Sequence, residues 1–534
     1  MATPDHAATA VDLTAALVAA PIPAADWLVI LPVLIPMVAG AIGLVTRWRS
    51  GLQWHLALGA LSLTLVVDVM LLIRVATEGP IVMAMGRWLP PFGISFTADA
   101  LGATFAVTAA VVALVATFYA RDSFNVSERR YGIFPFLLLL MAGVSGAFLT
   151  GDLFNLYVWF EVLLISSFGM LVMGSEKAQI DGTIKYAFLN LVATTLFLIA
   201  IGLLYGVLGT LNMADIVGAA QRAPSSAPLI AIACLFFFAF AMKAGAFPVN
   251  AWLPASYHTP RIVVSALFAG LLTKVGVYAL LRVLVMLLPR QADAFSGLVA
   301  VIAALTMVLG ALGALAQSDF RRMLGYLIIS GIGSMLVGVA LATEAALTGA
   351  IVYAVHSMLT MTALYLIAGV MAARVDGSFD LRRLGGLYGA SPLLAGLFLV
   401  LGLSVAGLPP FSGFWPKLVL VDASLAAGSR MLAFAILATG FLTTLAVGRV
   451  WLYAFWRGGP EGTADGTRTV LGPAGDTAAA DRRGTALLLP VLVLAAAIVG
   501  LGLWPAPLYD FAGVAARGLI DPTAYIGAVF GGLQ

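Results

Sequence analysis

Apolar runs of about twenty residues follow one another along almost the whole chain, each bounded by charges, proline or glycine. Wound into a helix at about 1.5 Å per residue, a run of that length matches the roughly 30 Å hydrocarbon core of a bilayer. Read in this way, the sequence predicts fourteen spans, near 27–46, 51–73, 98–119, 131–150, 153–174, 183–208, 227–253, 258–287, 293–316, 323–342, 345–373, 391–427, 430–457 and 485–506. Composition closes off the alternative. The 534 residues are 62% hydrophobic and 10% charged, against about 25% charged in an ordinary soluble chain, and one water-exposed globule cannot enclose that much apolar surface. The predicted fold class is an all-α polytopic membrane protein of about fourteen transmembrane helices.

The same inventory excludes several functions. A net charge of +3, dispersed along the chain, is no nucleic-acid surface. The single cysteine, Cys234, sits in the apolar run ACLFFFAF, so neither a disulfide framework nor a Cys-built zinc or iron–sulfur site is available. No GxxxxGK[ST] loop, HExxH pair or Ser-His-Asp arrangement is present. No cofactor is expected, the sequence assigns no metal site, and the energy source must be an ion gradient or another subunit.

Residues 1–26 carry Asp5 and Asp12 and lack the basic start of a cleavable signal, so they are expected to remain as an extracytoplasmic segment before the first span. Counting Lys and Arg in alternate connections places seventeen, among them Arg47, Arg129, Arg130, Arg321, Arg322 and Arg457, on one side and six on the other. The positive-inside rule puts the richer side in the cytoplasm. Both termini and the Pro-containing loop 75–97 then lie outside, and the Gly- and Thr-rich loop 458–484 lies in the cytoplasm as a solvated segment.

Two runs read as broken helices. FAMKAGAFPVNAWLP carries Lys243 before Gly245, Pro248 and Pro254, and SVAGLPPFSGFWPKL carries Gly407, Pro409, Pro410 and Gly413 before Lys417. Proline removes a backbone donor, and unwound backbone at membrane depth is tolerated only against protein or a water-filled cavity. The spacing predicts an N-terminal unit 27–130, two five-helix halves over 131–287 and 293–457 related as an inverted repeat, the loop 458–484, and a last helix with its tail over 485–534.

The ionisable residues inside these runs carry the chemistry. Glu161 lies mid-run in NLYVWFEVLLISSFGM, where an ionised carboxylate costs about 2.5–3.5 kcal/mol and needs a cation, for which Lys243 is the obvious complement. Lys274 stands deep in SALFAGLLTKVGVYALLRVL, and a lysine so placed holds or releases its proton according to the charges around it. His356 lies mid-run among Tyr353, Ser357, Thr360 and Thr362. For Lys417, snorkelling to an interface is the competing reading. His258, in ASYHTPRIV, is a weaker candidate because it reads equally well as a helix-start residue. Asp152, Asp319, Arg321 and Arg322 read as caps and topology signals.

The stretches TGDLFNLYVWFEVLLISSF, KAGAFPVNAWLPASYHTP, SALFAGLLTKVGVYALLR and GLPPFSGFWPKL, with the tail DPTAYIGAVFGG, resemble the D-subunit family of multisubunit Mrp-type sodium/proton antiporters. More broadly they are similar to the antiporter-like proton-pumping subunits of respiratory NADH:quinone oxidoreductase. The resemblance implies fourteen helices with two inverted repeats, an essential ion pair at Glu161 and Lys243, a central relay lysine at Lys274 and a terminal site at Lys417; the relay reading of His356 comes from the residues themselves, and places it with water between Lys274 and Lys417. It also implies partner subunits in a hetero-oligomeric complex in the cell membrane, exchanging protons for Na+ or another monovalent cation. Leu327, Gly331 and Met361 stand where that family often carries histidine, glutamine and lysine. The competing readings are a subunit of a redox-driven proton pump, such as the oxidoreductase or a membrane-bound hydrogenase, and a non-transporting scaffold.

Overall fold

The computed structural model describes residues 17, 22–121, 123–375, 377–459 and 477–531, with the backbone alone for 477–486. Most of the expected segment 1–26, and the expected loop 458–484 from 460 to 476, lie outside these residues.

Each expected run falls on helix. In chain order these are α1 (Leu31–Val45), α2 (Ser50–Glu78), α3 (Ala100–Ala120), α4 (Ile133–Leu149), α5 (Leu153–Val172), α6 (Lys177–Leu208), α7 (Leu229–Ala244), α8 (Ile262–Leu287), α9 (Ser296–Ala316), α10 (Phe320–Leu341), α11 (Glu344–Ala373), α12 (Pro392–Ala406), α13 (Phe414–Ala426), α14 (Arg430–Trp456) and α15 (Thr477–Leu503). Two further helices follow, α16 (Ala506–Ile520), bent by 79° from the end of α15, and α17 (Thr523–Gly531). Among the described residues nine helices are long and apolar enough to cross a membrane, and α1, α4, α7 and α12 are shorter apolar helices. The chain is a mostly helical, multi-pass membrane protein.

Two of the short helices are short for a legible reason. The run expected over 227–253 stops at Ala244 because Gly245 adopts φ +83°, and the run over 391–427 divides at Gly407, with φ +86°. Both are left-handed C-caps that close a helix with a conformation only glycine takes without cost. The chain resumes as helix at Trp252–Ser256 in the first case and as α13 in the second. By contrast α8 runs on through a joint at Leu271 and ends in a π-helical turn, Leu281–Leu287.

Among the described residues, the all-α expectation is departed from in one two-stranded sheet. Across the expected loop 75–97 and one residue beyond it, the strand Ile81–Ala84 pairs antiparallel with Ser95–Ala98, Ile81 opposite Ala98. Both strands are rich in small, β-branched and aromatic residues, and pairing satisfies their backbone groups where they sit against the helix ends.

Burial sorts the helices by depth in the bundle. α11 is buried along its whole apolar stretch and α8 and α10 nearly so, whereas α2, α6 and α9 turn wide apolar faces outward. A helix carrying His356, Ser357, Thr360 and Thr362 must be enclosed, because lipid offers those groups no partner. Small residues permit close approach: a Cβ on Gly276 of α8 would stand 2.8 Å from the backbone nitrogen of Ala244 in α7.

Candidate functional site

Each of three lysines, Lys243 and Lys274 buried and Lys417 partly buried, is seated at an interruption in a helix. Lys243 occupies the last turn of α7, where its ammonium donates to Thr194 Oγ1 on α6 at 2.8 Å and lies 4.7 Å from the centre of the Phe160 ring on α5. Lys274 donates to the carbonyl of Ala269 at 2.5 Å, beside the Leu271 joint of α8. Lys417, in the first turn of α13, donates to the carbonyls of Ala406 (2.7 Å) and Val405 (3.1 Å), the last of α12. Helix C-terminal carbonyls lack intrahelical partners and carry the negative end of the helix dipole, so a broken helix supplies a cation seat without a carboxylate. The headgroup of Lys417 thus turns into the break and does not snorkel.

Glu161 lies on α5 next to Phe160. Its Oε1 is buried without a hydrogen-bond partner, and it acts on Lys243 electrostatically. Among the described residues no ion pair or hydrogen bond joins the two directly. The expected contact is therefore a coupling at a distance, with the hydroxyl of Thr194 and the face of Phe160 holding the ammonium in place.

His356 projects from α11 into the second break. Its Nδ1 shares hydrogen bonds with Ser412 Oγ (2.8 Å) and Thr360 Oγ1 (3.2 Å), and Ser412 lies 3.3 Å from Ser404 Oγ. The imidazole also borders a cavity of about 10 Å³, enclosed by Val352, Trp415, Pro505 and Tyr509, which has room for about one water. His356 of α11 and Lys417 of α13 thus meet at one helix break. A Cβ on Gly413 would overlap the Ser404 carbonyl and stand 2.9 Å from His356 Nε2. Gly413→Ala is accordingly expected to displace the imidazole and depress transport strongly, more than it lowers complex yield, as checked by native gel and flux on the same membranes.

Leu327 and Met361 are core residues of α10 and α11. Gly331 differs: its missing side chain leaves space for Tyr353, whose hydroxyl lies 3.3 Å from the position a Cβ would take and whose ring stands edge-on to His356 at 5.6 Å. A hydroxyl from α11 thus occupies the place left open on α10.

His258 stands apart from this row. Its Nδ1 lies 2.8 Å from the Pro254 carbonyl and its Nε2 accepts from Arg322 at 3.0 Å, which places the proton on Nδ1. It lines an open cavity of about 370 Å³ with Asp181, Lys185, Arg322 and Tyr326, and burial together with Arg322 holds the imidazole below its usual range. Asp152 and Asp319 cap α5 and α10, accepting from the Asn155 and Arg322 amides at 2.8 and 3.0 Å, as expected of span-end residues.

The reading of the sequence passed over Thr194, Ser412 and, most consequentially, Arg282. This arginine is buried in the π-helical end of α8 and paired with Asp99. Its signal was present: a second basic residue in the same apolar run, eight positions after Lys274 and so on the same helical face.

Residues 150–443 match the family described as NADH:quinone oxidoreductase/Mrp antiporter, transmembrane region. The chain is 38% identical over 502 residues to the D subunit of the Na+/H+ antiporter of Alkalihalophilus pseudofirmus, covering 94% of this chain and 99% of the relative. It is 36% identical over 504 residues to the Na+/H+ antiporter D subunit of Bacillus subtilis, with the same coverage. Among solved structures, a chain of the Mrp complex from a Dietzia species aligns with a TM-score of 0.86 and 31% identity over 95% of this chain and 100% of its own. A chain of respiratory complex I from Thermus thermophilus aligns with a TM-score of 0.77 and 27% identity over 92% and 100%.

Proposed function

Since the chain belongs to the NADH:quinone oxidoreductase/Mrp antiporter family, and within it to the Na+/H+ antiporter D subunits, we propose that it carries protons across the cell membrane in a multisubunit complex that moves Na+ or another monovalent cation the other way. It is a transporter subunit and not a catalytic enzyme. The observation that carries this reading is the row of Lys243, Lys274, His356 and Lys417, in which the lysines sit at helix interruptions on backbone carbonyls or a hydroxyl and the imidazole between a serine and a threonine.

Such seats tolerate both the charged and the neutral form of a lysine, because a carbonyl stabilises the ammonium without neutralising it. A proton held on Lys243 under the influence of Glu161 passes to neutral Lys274, then through His356 and bridging water to Lys417. Each donor becomes neutral as its acceptor becomes charged. Reprotonation of Lys243 under the pull of Glu161 resets the row, and partner subunits tie the cycle to cation movement.

The arrangement in the membrane forms part of the proposal: fourteen spans, both termini outside, and inverted halves over 131–287 and 293–457. Parallel features support the repeat. The most extensive helix pairing in each half is between its first two, α4 with α5 and α9 with α10, each half contains one broken helix, and α8 and α14 both end in a π-helical turn. Reporter fusions in 458–484 are expected to read cytoplasm and fusions in 75–97 and at the C-terminus outside; a cytoplasmic C-terminus would require an odd span count.

The function is tested in sealed inverted vesicles carrying the whole complex, with a preformed pH gradient and no electron donor. Addition of Na+ or another monovalent cation is expected to dissipate the gradient, and vesicles whose complex lacks this subunit are expected to show no response. A proton flux that appears only with an electron donor would assign the chain to a redox-driven pump.

A further inference from the structure

From the geometry at the far end of α8 we infer that Arg282, held by Asp99 and Tyr278, is an insulating residue: it closes the direct route from Lys274 to the extracytoplasmic end of the helix, so that protons leave only by way of His356 and Lys417. This rests on the proton-carrying role of Lys274 proposed above.

Lys274, Tyr278 and Arg282 recur every four residues and therefore line one face of α8, spanning about 12 Å along its axis. They lead toward the end where α3 begins and the paired strands lie, which is the outer end in the proposed orientation. An unguarded polar row there would let protons bypass the second half of the molecule. The hydrogen bonds run the wrong way for that. Tyr278 donates its hydroxyl proton to the Phe148 carbonyl at 2.7 Å and accepts from Arg282 Nε at 3.0 Å.

For a proton to move outward, the Tyr278 hydroxyl would have to turn toward Arg282. A guanidinium has no lone pair to accept that proton and does not release its own. The wire ends there.

The guanidinium is also fixed. It is 1% exposed, paired with Asp99, and flanked by the rings of Tyr278 (5.2 Å) and Tyr525 of α17 (5.4 Å). Asp99 is anchored in turn as the N-cap of α3, accepting from the Gly102 amide at 2.9 Å. With both partners clamped, the arginine cannot swing aside to open a path.

The test is passive proton permeability of the reconstituted whole complex: decay of an imposed pH gradient with no transported cation present. Arg282→Gln is expected to raise the rate at least several-fold over wild type. Arg282→Lys keeps the charge but can release its proton, and is expected to leak as well; a purely structural ion pair would instead be rescued by lysine. If Arg282→Gln fails to assemble, Arg282→Lys carries the test. Adding Lys274→Ala to either variant is expected to abolish the leak. Assembled Arg282→Lys complexes as tight as wild type would overturn the inference, as would a leak that persists without Lys274. Lys274→Ala alone separates the two readings: normal antiport in that variant defeats the relay itself, whereas lost antiport together with tight Arg282 variants defeats only the insulation.

Discussion

Glu161→Gln is expected to abolish cation-induced dissipation of a pH gradient, by at least about tenfold, or about 1.4 kcal/mol in the limiting step, while the complex still assembles. The carboxylate lies inside the membrane with one oxygen buried and unpartnered, and it reaches Lys243 only through the field it sets up. Such a group contributes little to packing and much to the charge state of its neighbour. An amide of the same shape preserves the van der Waals contacts of α5 with α6 and removes the field. Lys243 then loses the influence that draws a proton to it, although its bond to Thr194 and its seat on Phe160 remain. Glu161→Asp retains the charge one methylene farther away and is expected to keep part of the activity, since electrostatic coupling across a gap tolerates a small change of distance better than a contact ion pair does. Inverted vesicles, with assembly checked on the same membranes, provide the measurement. Wild-type exchange from an assembled Glu161→Gln complex would remove the relay and leave the scaffold reading in its place.

Lys417→Ala and Lys417→Arg should both lose antiport to a comparable degree, and the arginine result is the more informative. The ammonium of Lys417 bonds the last carbonyls of α12, so a purely structural cation at the break would be replaced adequately by guanidinium. A relay site cannot be replaced in this way, because arginine stays protonated at any pH the protein meets. The Cδ of Lys417 lies 2.5 Å from where a Cβ on Gly407 would stand, so the bulkier arginine also crowds the break. Complex yield on a native gel separates that steric effect from lost proton transfer. Normal exchange in Lys417→Arg would demote the residue to a cap for α12.

What could be read directly from the chain was whatever depends on one residue and its near neighbours along it. Membrane depth follows from the length of an apolar run, helix interruption from the glycines and prolines after Lys243 and before Lys417, and the cost of a buried charge from its type. Those local rules marked Glu161, Lys243, Lys274, His356 and Lys417. They could not say what each charge touches. The seat of Lys243 is a threonine 49 positions upstream, the insulating pair joins Asp99 to a residue 183 positions later, and His356 meets Ser412 across 56. Nor could the glycine at position 331 reveal that Tyr353 packs against it. Hydrophobicity sorts residues into or out of the membrane but is indifferent to which helix lies beside which. Hydrogen bonds and charges in a low-dielectric interior are short-ranged and directional, so their partners were settled only when the helices packed.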